Sequence, residues 1–275
     1  MFVLIDFLIA LVLTTVHTIF GEIYKVPYFI PLLLLGYFFA CALITFIFIF
    51  IFPLFIKRKG DFGNKHSRFY RFIFEEYLTF ICFFTNIKIH FEGKEKLPPK
   101  GEKIVFVSNH LSKFDPITCN SVLKGYDVSW IGKRSLFKMP LINRYLYKIL
   151  FMPIDREDLK QSLTVIKQAV KYLNEDQCSI GIYPEGTRNT TDEVLLPLKP
   201  GSLKIAYLSK KPLVVLAVAN TEKVKKNIIK RTHVYIRVCE VIPYEKYKDL
   251  DTQELTLYVE NMLKENIIEL RNKKK

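Results

Sequence analysis

Apolar positions fall into three regimes along this chain. From Phe2 to Phe20 they run almost unbroken, interrupted by Asp6, His17 and a few threonines. From Tyr28 to Ile56 they run with no charged residue at all. A membrane-crossing helix needs about 20 apolar residues, so the second run is long enough and the first is borderline. The link from Gly21 to Pro27 is short and carries one Glu and one Lys, which predicts a helical hairpin. Pro31, Gly36 and Pro53 lie in or at the edges of the second run, where membrane helices tolerate them. Asp6, near one end, is expected to reach the headgroup region, which lowers its cost. A cleaved signal peptide is disfavoured, because no basic segment precedes the first run and no small-residue cleavage site follows it.

The third regime is interrupted and periodic. Ser67 to Phe84 is aromatic-rich with a basic start, and reads as a helix that lies at a membrane interface or packs beneath a soluble domain. Ile87 to Glu92 alternates and reads as a strand. Further strands are predicted at Ile104–Val107, Val128–Ile131, Phe151–Ile154, Ser179–Tyr183, Leu213–Ala219 and His233–Val241. Helices are predicted between them. One covers Asp115 to Lys124, with Pro116 suited to the first helical position. Another covers Leu136 to Ile149, broken or started near Pro140. A third covers Leu159 to Leu173, with Leu159, Leu163, Ile166, Val170 and Leu173 on one face. Gly201–Leu208 and Leu255–Leu270 complete the set, followed by a basic tail at Lys273 to Lys275. The alternation predicts an α/β fold: a mostly parallel or mixed central sheet flanked by helices, preceded by the hydrophobic helical hairpin. The expected organisation is a membrane-embedded hairpin over residues 1–60, an interfacial or packing helix over 61–86, and an α/β domain over 87–275. No internal repeat is visible.

Charge sharpens this picture. The net charge is +14, and all but one of the basic residues follow Phe55. An anionic membrane surface or a nucleic acid suits such a chain. The aromatics concentrate in the apolar region rather than among the basic residues of the soluble part, which argues for membrane lipids and against nucleic acid. Lys57, Arg58 and Lys59, then Lys65, Arg68 and Arg71, place that end of the hairpin on the cytoplasmic side by the positive-inside rule. The expected location is the cell membrane, with the soluble domain facing the cytoplasm. The five cysteines (Cys41, Cys82, Cys119, Cys178 and Cys239) are scattered, with no CxxC pair and no zinc-site spacing. They read as reduced thiols.

Candidate chemistry begins at Ile104–Pro116, IVFVSNHLSKFDP. The apolar run stops at Ser108, Asn109 and His110, and Asp115 follows five residues after the histidine. A His ending a strand and an Asp starting the next helix can meet. The imidazole then has a carboxylate on one nitrogen and a free basic nitrogen on the other, which is a Ser-His-Asp arrangement without its serine. The missing hydroxyl would come from the substrate, so the pattern suggests acyl transfer to an alcohol with His110 as general base. Other strand ends carry Lys133, Arg156 and the Glu185–Arg188 cluster, and could converge at one edge of the sheet. Three cations there would suit a phosphate. Gly186, between a carboxylate and a hydroxyl, allows close backbone approach to a ligand. No metal cluster and no GxSxG elbow is present, which argues against a serine lipid hydrolase.

With these blocks in view, the chain resembles the glycerolipid acyltransferase family, in particular the 1-acylglycerol-3-phosphate acyltransferases. The resemblance spans roughly Ile104 to Asn220. Asn109-His110 through Asp115-Pro116 resembles the family's NHxxxxD block. Gly132-Lys133 through Phe151-Met152-Pro153-Ile154-Asp155-Arg156 resembles the second block, and Tyr183-Pro184-Glu185-Gly186-Thr187-Arg188 the EGTR block. Lys199-Pro200-Gly201 resembles the segment that usually follows. The fourth block departs from the pattern, since Val214-Val215-Leu216-Ala217-Val218 lacks the usual proline. The resemblance implies that His110, oriented by Asp115, deprotonates the free sn-2 hydroxyl of a lysophosphatidic acid as it attacks an acyl thioester. The product would be phosphatidic acid, a step of phospholipid synthesis. It implies acyl-CoA or acyl-carrier protein as donor substrate and no cofactor. It implies that Arg156, Glu185, Gly186, Thr187 and Arg188 hold the acceptor, with Lys133 as a further phosphate partner. Asn109 or a backbone N–H would orient the site or meet the oxyanion. Glycerol-3-phosphate or another lysophospholipid as acceptor, and a non-catalytic basic membrane adaptor, are the competing readings.

Overall fold

Seven strands realise the periodic part of the chain in the computed structural model, which describes residues 1–57, 60, 62, 65–140, 142–226 and 230–273. They are β1 (Ile87–Glu92), β2 (Val105–Ser108), β3 (Val128–Lys133), β4 (Met152–Ile154), β5 (Ser179–Ile182), β6 (Leu213–Ala219) and β7 (Thr232–Ile242). They form one sheet in the order β1-β7-β6-β2-β5-β3-β4. From β6 to β4 every neighbouring pair is parallel, whereas β7 runs antiparallel to β6 and β1 runs parallel to β7. The sheet is mixed, with a parallel block of five strands that all end at one edge. That edge is where open α/β sheets place their ligands.

The helices are α1 (Phe2–Phe20), α2 (Ile30–Ile51), α3 (Arg68–Phe84), α4 (Asp115–Val122), α5 (Ile142–Lys148), α6 (Leu159–Asn174), α7 (Pro200–Ser209), α8 (Tyr244–Tyr247) and α9 (Thr252–Asn272). The chain falls into two compact units, Met1–Lys57 and Arg58–Lys275. In the second unit the central strands are buried on both faces, which is why they read as continuous apolar runs. Val105, Val107, Ile180, Val215 and Ala217 face one core layer, filled by Val165 and Ala169 of α6, Leu203 of α7 and Val259 and Leu263 of α9. α9 starts with a capping box, in which Asp251 and Glu254 reciprocally satisfy each other's backbone N–H groups.

Two expectations are corrected in this unit and one break is borne out. Leu159 and Leu163 do not face the core: they are 80% and 53% exposed, while Val165, Ala169, Tyr172 and Leu173 are buried. α6 carries two overlapping apolar stripes, and the one through Val165, Ala169, Tyr172 and Leu173 is the more deeply buried. The helix expected over Leu136 to Ile149, broken or started near Pro140, does begin just past that proline. A 3-10 turn at Arg134–Lys138 precedes α5, because Pro140 offers no N–H and disfavours helix at the residue before it. Arg71 does not join a surface basic cluster. It is buried in α3 and donates to Val128 O at 2.7 Å, Ser129 Oγ at 2.7 Å and Ile149 O at 2.6 Å. A buried guanidinium is tolerated only when its donors find acceptors in this way, and here it ties α3 to β3 and to the end of α5. α3 therefore packs, burying Ile73, Phe74, Leu78 and Phe80 while leaving Phe69, Phe72 and Phe83 exposed. Of the basic residues in the flanking clusters, Arg58, Lys59, Lys274 and Lys275 lie outside the described residues.

In the first unit, α1 and α2 pair antiparallel across a linker of two short 3-10 turns, Ile23–Lys25 and Pro27–Phe29. Both helices are long and apolar enough to cross a membrane. Two polar contacts set their register: Thr45 Oγ1 donates to Asp6 Oδ1 at 2.7 Å, and His17 Nδ1 meets the Tyr37 hydroxyl at 2.8 Å. Asp6 is buried between the helices, with Thr45 as the partner of one carboxyl oxygen. All five cysteines are free.

Candidate active site

β2 is the middle strand of the seven-stranded sheet, and the chain leaves it through Asn109. The Asn109 amide behaves as one more peptide unit of the ladder: its Nδ2 donates to Val218 O at 2.9 Å and its Oδ1 accepts from Val218 N at 2.8 Å. The backbone is thereby free to turn while β2 stays registered on β6. The turn delivers His110 to the edge of the sheet, and α4 begins with Asp115 beside it. His110 Nδ1 and Asp115 Oδ2 are 2.6 Å apart.

Asp115 is fully buried, and its carboxylate accepts on every side. Oδ2 also takes the N–H groups of Leu111 at 2.7 Å and Ser112 at 2.9 Å, and Oδ1 takes the hydroxyl of Thr221. No acceptor position is left for a proton, so the imidazole proton sits on Nδ1 and Nε2 is the basic nitrogen. Nε2 has no partner among the described residues, and the His110 side chain is 15% exposed. The pair is a base with its tautomer fixed and its lone pair presented outward.

The Tyr183–Arg188 segment holds the same histidine from the other side. Glu185 Oε1 accepts from the His110 backbone N–H at 2.5 Å, and Glu185 Oε2 accepts from Leu196 N at 3.0 Å. The N–H of Asn189 donates to the His110 carbonyl at 2.7 Å. Burial raises the Glu185 carboxyl to about 7, against the lowering effect of its two backbone donors. The Tyr183 ring lies on the imidazole with centroids 4.2 Å apart. Gly186 closes the turn at φ +71°, a left-handed backbone that glycine adopts without strain.

The cations occupy the adjoining strand ends. Lys133 ends β3, Arg156 follows β4 and Arg188 follows β5, and these three strands are neighbours. All three side chains are exposed, as is Thr187, and among the described residues none of the three cations takes part in an ion pair. Partial desolvation, and then the like charge of Arg188, pushes the Arg156 guanidinium below its ordinary value. Two arginines that repel each other and lack a carboxylate suit an anion. Among the described residues no group of three or more His, Cys, Asp or Glu side chains is placed to hold a metal ion.

The structure therefore brings His110, Asp115, Asn109 and Glu185 together and sets Lys133, Arg156, Gly186, Thr187 and Arg188 around the same edge. Asn109 and Glu185 lie beneath it, with their polar atoms engaged by backbone. Sequence reasoning missed Thr221, Tyr183, Asn189 and Lys199. The first lies just past the end of β6 with no motif around it, and the other three stand in or near blocks whose charged members drew the attention.

Comparison with known proteins identifies the family and the fold. Residues 88–219 match the sequence model of the Acyltransferase family. The 1-acyl-sn-glycerol-3-phosphate acyltransferase of Bacillus subtilis is 31% identical over 181 residues, covering 66% of this chain and 87% of that protein. The enzyme of the same name from Escherichia coli is 25% identical over 167 residues, covering 60% of this chain and 67% of that protein. The fold is that of the crystal structure of the 1-acyl-sn-glycerophosphate (LPA) acyltransferase PlsC from Thermotoga maritima, at a TM-score of 0.64 and 20% identity, over 85% of this chain and 96% of the other. The chain belongs to the 1-acyl-sn-glycerol-3-phosphate acyltransferase family of O-acyltransferases.

Proposed function

We propose that this enzyme acylates the free sn-2 hydroxyl of 1-acylglycerol-3-phosphate from an acyl thioester, giving phosphatidic acid. The observation that carries the reading is the His110–Asp115 pair, 2.6 Å apart, with no nucleophile bonded to Nε2 among the described residues. The names of the relatives from Bacillus subtilis and Escherichia coli support the acceptor and the product.

The chemistry follows from the atoms present. Nε2 of His110 takes the hydroxyl proton as the acceptor oxygen bonds to the thioester carbonyl carbon. The imidazolium that forms is matched by the carboxylate of Asp115 on Nδ1. The tetrahedral intermediate collapses, the C–S bond breaks, and the departing sulfur takes the proton from Nε2, so the thiol leaves and the base is regenerated. Arg156, Arg188 and Lys133 hold the acceptor phosphate, and Gly186 and Thr187 line its approach. Asn109 and Glu185 serve as positioning residues. Acyl-CoA and acyl-carrier protein both supply the required thioester, and no cofactor enters the scheme. The apolar hairpin suggests membrane association, and Lys57, Lys65 and Arg68 favour a cytoplasmic catalytic unit.

The test is acyl transfer by purified protein in liposomes, offered 1-acylglycerol-3-phosphate with each donor in turn, beside His110→Ala. The expected result is phosphatidic acid from the wild type and a loss of at least about a hundredfold in the variant. Product from glycerol-3-phosphate or another lysophospholipid alone would replace the acceptor. Undiminished product from His110→Ala would remove the histidine from the mechanism.

A further inference from the structure

The stack beneath His110 has three layers. Tyr183 lies on the imidazole with centroids 4.2 Å apart and planes 17° apart, and the Trp130 indole lies on the opposite face of Tyr183 at 4.5 Å and 12°. The third layer is made possible by a missing side chain. Trp130 of β3 pairs with Gly181 of β5, and a Cβ at Gly181 would come within 2.5 Å of the indole. Trp130 itself is 2% exposed, so the floor of the stack is held rigidly by the sheet.

We propose that Tyr183, backed by Trp130, is a positioning residue for the acyl transfer: its ring face fixes the plane of His110 and stabilises the imidazolium formed during the reaction. This rests on the reading of His110 as general base. The hydrogen bond to Asp115 fixes Nδ1 alone, and a ring held at one atom can still rock about that bond. A flat surface at stacking distance removes the rocking and aims the Nε2 lone pair. The same surface carries negative potential on its face, so it attracts the imidazole more strongly once it is charged. That difference between neutral and charged ring is what accelerates a step, because it is larger in the transition state than before it.

The hydroxyl of Tyr183 has no part in this. It is buried and finds no hydrogen-bond partner among the described residues. Burial, reinforced by Cys119 and Asp115, holds the phenol well above its ordinary value and therefore neutral. The ring face is the functional part.

The experiment compares Tyr183→Leu, Tyr183→Phe and Trp130→Leu in the full-length protein, with kcat and KM measured separately for acceptor and donor. Tyr183→Leu is expected to lower kcat by about thirtyfold with both KM values changed less than about twofold, the scale of a desolvated cation–π contact. Tyr183→Phe restores kcat to within about threefold, and Trp130→Leu falls between them. Fluorinated phenylalanines at 183 keep the shape while draining the ring face of charge, so kcat should fall with each added fluorine. A kcat indifferent to fluorine would overturn the imidazolium role, and a Tyr183→Phe as impaired as Tyr183→Leu would hand the function to the hydroxyl. Should Tyr183→Leu fail to fold, the fluorine series still decides. Activity surviving in His110→Ala would instead sink the general-base reading itself.

Discussion

Two parts of the same sheet edge are built on opposite principles. Around His110 the carboxyl and amide side chains are engaged within the protein: Asp115 accepts from four donors, Asn109 is paired with Val218, and Glu185 spans two backbone N–H groups. Along the same edge, Lys133, Arg156 and Arg188 are exposed, carry no ion pair among the described residues, and in the case of the two arginines repel each other. The first region is finished before substrate arrives. The second is left incomplete and is finished by the substrate. A base gains from a fixed tautomer and a fixed direction, since any reorganisation during the reaction adds to the barrier. An anion site gains from unsatisfied charge, since charges already paired within the protein would have to be released first.

Variants on either side break this contrast to different degrees. Asp115→Asn keeps the shape but reverses the donor logic at Nδ1. The expected loss in kcat is about a thousandfold with little change in KM, measured by initial rates at saturating acceptor. Arg188→Ala leaves the base untouched and removes half of the arginine pair. Its expected signature is a rise of about tenfold to thirtyfold in KM for the acceptor, with kcat within about threefold, the scale of one charge-assisted hydrogen bond. Equal losses in kcat from both variants would dissolve the division between the two regions. Thr221→Val removes one of the four donors to Asp115 and is expected to lower kcat about fivefold, with Thr221→Ser restoring it.

The smallest effect is on stability. Burial raises Glu185 from 4.5 to about 7, so the folded chain holds a proton there that the unfolded chain has lost. A carboxyl with a raised value contributes stability that is complete below the unfolded value of 4.5 and is lost as pH rises through about 7. Thermal denaturation at pH 5 and pH 8 should therefore show a smaller difference in Tm for Glu185→Gln than for the wild type. An unchanged difference would place the pH dependence elsewhere.

How much of this was legible beforehand depends on how far apart the interacting residues stand. β1 and β6 begin and end where alternation and a closed apolar run place them. His110 and Asp115 are five residues apart, so their meeting could be read from one strand end and one helix start. The face of α6 could not be read the same way, because Leu159 and Leu163 satisfy a helical period as well as Val165 and Ala169 do. Which stripe faces inward is decided by the sheet. Thr221 and Trp130 were invisible for the related reason that their partners are remote: Thr221 reaches Asp115 across 106 residues, and Trp130 reaches Tyr183 only because β3 and β5 are neighbours. Glu185 was legible as a block and not as a role. A buried carboxylate on backbone and an exposed one on substrate have the same letters.

The long reach of Asn109 and Asp115 has a consequence for the order in which the protein is made. Their partners Val218 and Thr221 emerge from the ribosome about a hundred residues later, and contacts so distant in sequence close late. A nascent chain that already contains the whole NHxxxxD block still has no oriented base, because the neighbouring strand that fixes it has yet to be synthesised. Chains terminated before Leu213 should be inert however much of the sheet they assemble. The protein acquires its reactivity in one late event, after the apolar segments at its beginning have had time to find their place.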